Sequence, residues 1–167
     1  MLVLVMGVSG AGKTTVGVAL AQRLGCAFLE GDRLHPAANV AKMAAGIPLD
    51  DADRAPWLAA IRARLEAAAK AGTGLVVACS ALKRQYRDFL GATLAAPDPL
   101  RCVYLRGDEA MLYQRLEARQ GHYMKANMLA SQLRDLEEPG PDEGAIVLDA
   151  GLPVAEIVAR AAAALAP

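Results

Sequence analysis

The sequence has no net charge, eighteen Lys and Arg standing against eighteen Asp and Glu. No chain-wide basic field is therefore available to hold a nucleic-acid backbone or an anionic membrane, and any anion has to be bound locally. Cysteine is scarce as well. Cys26, Cys79 and Cys102 are dispersed in apolar surroundings without metal-ligand spacing, so buried free thiols are expected, as suits a reducing cytosol. No apolar run approaches the length of a membrane span, and an expected first strand from Leu2 leaves no room for a charged leader. A soluble, cytoplasmic protein is the expectation. Internal repeats and linkers are absent too, the Ala-rich stretches 67–71 and 159–164 being good helix formers rather than low complexity. At 167 residues the chain is expected to form one domain, which buries about 70% of its unfolded surface and needs no staples.

What is present is organised around Gly7-Val8-Ser9-Gly10-Ala11-Gly12-Lys13-Thr14, directly after the apolar run Leu2-Val3-Leu4-Val5-Met6. The octet fits the phosphate-binding loop pattern. A buried strand delivers the chain, and Gly7, Gly10 and Gly12 let the backbone curl so that successive N–H groups, those of Ser9 and Ala11 included, point at a phosphate. The helix that follows, beginning with Thr14 and Thr15, adds its positive end. Lys13 is expected to reach the β and γ phosphates of a nucleotide as a mobile point charge, and the Thr14 hydroxyl to take one coordination position on Mg²⁺.

Helical spacing of Val16, Ala19, Leu20 and Leu24 predicts the phosphate-loop helix, ended by Gly25. Ala27-Phe28-Leu29 reads as a short strand ending in Glu30-Gly31-Asp32, and strand alternation would turn Glu30 and Asp32 to the same side. A short helix is predicted near 37–45 and a long amphipathic one over 55–71, carrying Trp57, Leu58, Ile61 and Leu65. Trp57 is assigned to the core of that helix. Leu75–Cys79 is a continuous apolar run expected as a central parallel strand, followed by a helix from about Leu82 to Leu94 and a strand at 101–105. Glu109–Ala118 is predicted as helix, residues 119–127 as a mobile lid with glycine and clustered cations, 128–136 as helix, 145–148 as the final strand and 153–165 as the closing helix. Strands alternating with helices imply right-handed βαβ crossovers: a three-layer α/β sandwich with a parallel sheet of about five strands.

The strand that usually supplies a metal-side aspartate in phosphate-loop proteins ends here in Ala78-Cys79-Ser80, with no acid. Glu30 and Asp32 are the candidates to fill that gap. Asp32 is assigned the role of base or orienting group for a substrate hydroxyl, and Glu30 a metal-side role through a bound water.

Beyond the phosphate loop, the sequence contains Glu30-Gly31-Asp32-Arg33-Leu34-His35-Pro36 with Asn39 and Lys42-Met43, then Gly46-Ile47-Pro48-Leu49 and Asp53-Arg54-Ala55-Pro56-Trp57-Leu58. Cys79-Ser80-Ala81-Leu82-Lys83-Arg84 with Tyr86-Arg87-Asp88, and Arg119 with Gly121-His122, complete the set. Over nearly its full length the chain resembles the bacterial-type gluconate kinases, relatives of shikimate kinase in the nucleoside-monophosphate-kinase-like group of P-loop NTPases. The resemblance implies ATP-dependent phosphorylation of D-gluconate at its 6-hydroxyl, an acceptor-binding segment at about 32–57 and a homodimer. Thr14 stands where the family often has Ser, keeping the hydroxyl, and Tyr123 where it often has Phe.

Gluconate offers one carboxylate and many hydroxyls, so a guanidinium with mixed donors and acceptors is expected around it. Arg54 is the first candidate for the carboxylate, by its similarity in placement to the substrate-binding arginine of shikimate kinase. Lys83 and His35 are candidates for carboxylate or hydroxyls, and His122 and Gln132 for contacts made on closure. Arg119 is assigned the transition-state charge and Arg115 the adenine or a phosphate. On family grounds the adenine is expected near Asp149–Pro153. Two alternatives stand beside this one: a related kinase for shikimate or a nucleotide, and an NTP-binding regulator that transfers no phosphate. The shikimate pattern lacks the LHP and PWL segments, a nucleotide acceptor would want more cations, and a regulator leaves the acceptor-side segments without a purpose.

Overall fold

At the centre of the molecule lies β1, Leu2–Met6, buried along its whole length. The computed structural model describes residues 1–94, 99–118 and 123–166, with 123–127 described in the backbone only. A run of Leu, Val and Met has no polar face to turn to water, so it is stable as a strand flanked and covered on all sides. Strands β3 (Leu75–Ala78) and β4 (Leu100–Arg106) pair with it in parallel, Leu2 facing Leu75 on one side and Leu100 on the other. β2 (Ala27–Glu30) lies outside β3 and β5 (Ile146–Asp149) outside β4, so the all-parallel sheet runs β2-β3-β1-β4-β5. The connections carry α1 (Lys13–Leu24), α2 (Ala37–Ala44), α3 (Asp51–Lys70), α4 (Arg84–Gly91), α5 (Glu109–Glu117), α6 (Tyr123–Asp135) and α7 (Val154–Leu165).

Alternation along β1 divides the core. Val3 and Val5 pack with Val16 and Leu20 of α1, Leu112 of α5 and Ile157 of α7. Leu2, Leu4 and Met6 pack on the other face with Trp57, Ile61 and Leu65 of α3 and Leu90 of α4. Each such fully buried side chain contributes about 1.5–3 kcal/mol relative to exposure. The result is the expected three-layer sandwich. Strand order reverses around β1, and in such a sheet the crevice at the carboxyl ends of the strands beside the reversal is where ligands bind. The phosphate loop after β1, the turn after β2 and the loop after β3 all emerge at that edge.

Three helices differ in extent from expectation. α3 begins at Asp51 rather than 55, because Asp50 and Asp53 form a reciprocal cap: Asp50 Oδ1 accepts from the Asp53 amide at 2.8 Å, and Asp53 Oδ2 from the Asp50 amide at 3.1 Å. Pro56 then sits inside the helix, where its missing N–H leaves the Ala52 carbonyl without a helical partner. α4 starts at Arg84 because the preceding loop is irregular, with Ala81 at φ 42°. α6 begins at Tyr123, inside the segment expected as lid. Residues 119–122 of that segment lie outside the described residues.

The alternation expected to align Glu30 with Asp32 does not occur. β2 ends at Glu30, and Gly31–Leu34 turns as a 3-10 helix that His35 ends in an extended conformation, as the following Pro36 requires. Gly31 is pressed against the sheet: a Cβ there would lie 2.5 Å from the Ala78 carbonyl oxygen and 3.2 Å from Ile61 Cδ1. Its own carbonyl accepts from Trp57 Nε1 at 2.8 Å. Only glycine permits this approach. Gly31→Ala is expected to cost about 2 kcal/mol and to lower Tm by about 4–8 °C in a thermal melt.

Candidate active site

The loop after β1 is shaped by its own backbone. Gly12, at φ 91°, caps α1 without any side-chain hydrogen bond, so no side chain competes for the first-turn amides that α1 offers an anion. The Gly7 amide donates to the Ser80 carbonyl at 3.4 Å and the Ala11 amide to that of Val8 at 3.2 Å. Lys13 Nζ is folded back over the loop, donating to the Val8 carbonyl at 3.1 Å. Arg115 of α5 braces the loop from behind, donating to the Gly10 carbonyl at 3.4 Å and to that of Ala150 at 2.9 Å. It thereby joins the phosphate loop to the turn after β5, where an adenine was expected. Thr15 is exposed in the first turn of α1.

Thr14 Oγ1 donates to Glu30 Oε2 at 2.5 Å. A hydroxyl and a carboxylate side by side at the edge of a phosphate loop are the oxygen donors that a hard divalent cation takes. Among the described residues no group of three or more His, Cys, Asp and Glu is arranged to hold a metal ion alone. A cation here would therefore draw most of its ligands from phosphate and water.

A cleft opens beside the loop, lined by Ser9, Lys13, Asp32, His35, Arg54 and Gln132. Met43 of α2 and Ile47, Pro48 and Leu49 of the following loop form an apolar wall, and Trp57, Ser80, Leu82, Met128 and Ser131 complete it. Asp32 thus reaches the cleft from the 3-10 turn rather than from the strand. Gln132 of α6 closes over the loop, its Oε1 accepting from the Ser9 amide at 2.7 Å. Trp57, assigned to the core, is 2% exposed and also lines the cleft, stacking on His35 at 4.2 Å between ring centroids.

Arg54 is clamped in place. It donates to the Tyr86 hydroxyl at 3.0 Å and to Asp135 Oδ2 at 2.9 Å. Burial works against its charge, but Tyr86 and Asp135 outweigh that and raise its pKa. Lys83 does not line this cleft: its Nζ lies 2.7 Å from Asp51 Oδ1, in a neighbouring hollow that Arg54 and Asp135 share. Asp51 also accepts from Tyr86, and the hydrogen bonds from Lys83 and Tyr86 bring its pKa down to about 2. Burial lowers the pKa of His35, with Asp32 opposing and Arg54 adding to the shift.

Arg119 and His122 lie outside the described residues. Three residues to which sequence inspection gave no role also matter: Asp135, which it did not name, and Asn39 and Arg87, which it noted only among the marks of the resemblance. Asp135 stands three residues after Gln132 on α6, so helical spacing was the available signal. Asn39, 3% exposed, and Arg87, 7% exposed, are buried polar groups with partners on other elements, Asp53 for Asn39 and Glu137 and Glu143 for Arg87. Arg87 pairs with both oxygens of Glu143 and donates to the Ala81, Leu82 and Glu137 carbonyls, pinning the loop after β3.

The sequence and the fold both have known relatives. The AAA domain family model matches residues 2–139. A gluconokinase from Gluconobacter oxydans (strain 621H) is 54% identical over 143 residues, 85% of this chain and 78% of that protein. The thermoresistant gluconokinase of Escherichia coli (strain K12) is 44% identical over 92% of this chain and 87% of its own. The crystal structure of a gluconokinase from Sinorhizobium meliloti 1021 superposes with a TM-score of 0.86 at 48% identity, covering 98% of this chain and 90% of that one.

The ion pairs of the two cations differ in burial, so their removal should differ in cost. Arg54 is 12% exposed and its partner Asp135 30%, whereas Lys83 and Asp51 are 24% and 53% exposed. Asp135→Ala is expected to lower stability by about 1–3 kcal/mol in urea denaturation, and Lys83→Ala by less than about 1 kcal/mol.

Proposed function

The chain belongs to the gluconokinase family, and we propose from that premise that it transfers the γ-phosphoryl group of ATP to the 6-hydroxyl of D-gluconate. The products are 6-phospho-D-gluconate and ADP. The observation that carries this is a single cleft in which Ser9 and Lys13 of the phosphate loop meet Asp32, His35 and Arg54 from the acceptor-side segments. A nucleotide site alone would not need an acid, a neutral imidazole and a clamped guanidinium opposite its terminal phosphate.

Each residue then has a role. The glycines of the loop, with the amides of Ser9, Ala11 and Lys13 and the first turn of α1 through Thr14 and Thr15, hold the phosphates. Lys13 follows the charge of the γ-phosphoryl group as it moves. Arg115, already bonded at Ala150, lies where the base would rest. Asp32 orients the 6-hydroxyl and takes its proton, so that the oxygen approaches phosphorus in line. Arg54 binds the carboxylate at the other end of the acid, with its bond to Asp135 exchangeable for one carboxylate by another. Lys83, tied to Asp51, adds positive potential from the adjoining hollow. Gln132 and the apolar wall exclude water from the phosphoryl path. Arg119 and His122, in the segment that would close over the site, supply the transition-state cation and a further acceptor contact. Thr14 directly, and Glu30 through water, are the residues that would hold Mg²⁺, which when bound would neutralise phosphate charge.

Assembly as a homodimer and a cytoplasmic location belong to the same proposal. Among the described residues no helix is long and apolar enough to cross a membrane.

A coupled ADP-release assay with a panel of sugar acids, shikimate and nucleoside monophosphates tests the assignment. ADP release that depends on D-gluconate is expected, while slow hydrolysis indifferent to every acceptor would overturn it. Asp32→Asn is expected to lower kcat by about 10²–10⁴ while ATP still binds. Arg119→Ala should lower kcat by about 10³–10⁵ with far less effect on ATP KM, and equal changes in both would count against its role.

A further inference from the structure

We propose that Asn39 is a positioning residue that holds His35 with its ring proton on Nε2, making His35 a hydrogen-bond donor to one hydroxyl oxygen of the polyhydroxy acid. This rests on the acceptor assignment given above and names what His35 does within it.

The tautomer follows from three contacts. Asn39 Nδ2 lies 2.7 Å from the Asp53 carbonyl oxygen. A carbonyl can only accept, so the nitrogen and not the oxygen of the buried amide must face it. The same nitrogen lies 3.3 Å from His35 Nδ1. An amide nitrogen has two hydrogens and accepts nothing, so with one hydrogen on Asp53 the other is directed at Nδ1, which must offer a lone pair. A neutral imidazole with its lone pair on Nδ1 carries its proton on Nε2.

The surroundings hold this arrangement. His35 is stacked on Trp57 with 13° between the ring planes, and Trp57 is itself anchored by its bond to Gly31. The ring can neither tilt nor turn over without unstacking. Asp53 is fixed from three sides: its carboxylate takes Lys42 Nζ at 2.6 and 2.7 Å, it caps the Asp50 amide, and its own amide bonds Asp50. The first turn of α3 thus sets the position of the carbonyl that orients Asn39, and Asn39 orients the ring. The charged groups acting on the ring are Asp32 and Arg54, which oppose each other, and burial favours the neutral form.

With Nδ1 turned to Asn39, the Nε2 edge is the one left for the cleft that His35 lines. A nitrogen already carrying hydrogen is no base, so the proton of the reacting hydroxyl falls to Asp32. His35 instead recognises a lone pair on a hydroxyl further along the chain of the acid. A site built to donate to a hydroxyl rejects the analogue lacking it, because the buried donor is then left without a partner.

The test uses the full-length protein labelled with ¹⁵N and two-bond ¹H–¹⁵N correlation spectra of the imidazoles. The chain has two histidines, and His35 is assigned by the signals lost in His35→Gln. The wild type at pH 7.5 should show the Nε2–H pattern for His35. Asn39→Leu keeps the branching of the side chain and removes the donor; it should shift His35 to a tautomer mixture and raise KM for D-gluconate about tenfold, with ATP KM unchanged and kcat altered less than threefold. An Nδ1–H pattern in the wild type would overturn the proposal, as would an Asn39→Leu enzyme that keeps both the Nε2–H pattern and the KM. Where Asn39→Leu does not fold, the wild-type spectrum alone decides. Gluconate-dependent turnover by the wild type separates the two levels: without it the acceptor assignment fails, and with it an Nδ1–H pattern sinks only the role of Asn39.

Discussion

A strand with no polar side chain tolerates water on neither face, and that requirement on Leu2–Met6 governs the rest of the structure. It needs a hydrogen-bonded neighbour on each side, which β3 and β4 supply, and a layer of helices above and below, which its two alternating side-chain sets recruit. The chain leaving it at Gly7 therefore emerges at the middle of the sheet's carboxyl edge. Loops after β2 and β3 arrive at the same edge because parallel pairing points all the strands one way. The cleft is a consequence of where the most buried strand has to end.

Charge in the cleft and in the hollow beside it is held in pairs. Arg54 is paired with Asp135 and Lys83 with Asp51, so neither guanidinium nor ammonium stands alone in a partly buried place. An uncompensated buried charge would be costly, whereas a paired one can exchange its partner for a ligand carboxylate at little net change. Burial favours the neutral form of His35, which adds polarity without adding charge. Around these groups the apolar wall from Met43 to Leu49 limits water.

Several features were legible residue by residue. The phosphate loop, the alternation of strands and helices, and Lys13, Asp32, His35, Arg54 and Gln132 as neighbours of one site all follow from local pattern, motif and family resemblance. Other features were misjudged for identifiable reasons. The helix expected over 55–71 followed the spacing of its apolar residues, but the Asp50–Asp53 cap begins α3 at Asp51 and carries it through Pro56. Glu30 and Asp32 were aligned by strand alternation, yet the chain turns at Gly31 and brings Asp32 to the cleft by a different route. Lys83 sits beside the site rather than in it because Asp51, thirty-two residues away in sequence, holds it there.

By itself the sequence determined the class of fold and the chemistry of the nucleotide side. Hydrophobic period and the spacing of glycine, lysine and threonine are local properties, expressed within a strand, a turn and the helix it opens. Only the tertiary structure decided which acid answers which cation, that Asp135 clamps Arg54, that Arg87 pins the loop after β3, and that Asn39 orients His35. Those pairings join residues brought together by packing of separate elements, and no periodicity along a chain encodes which buried donor will find which acceptor across the core.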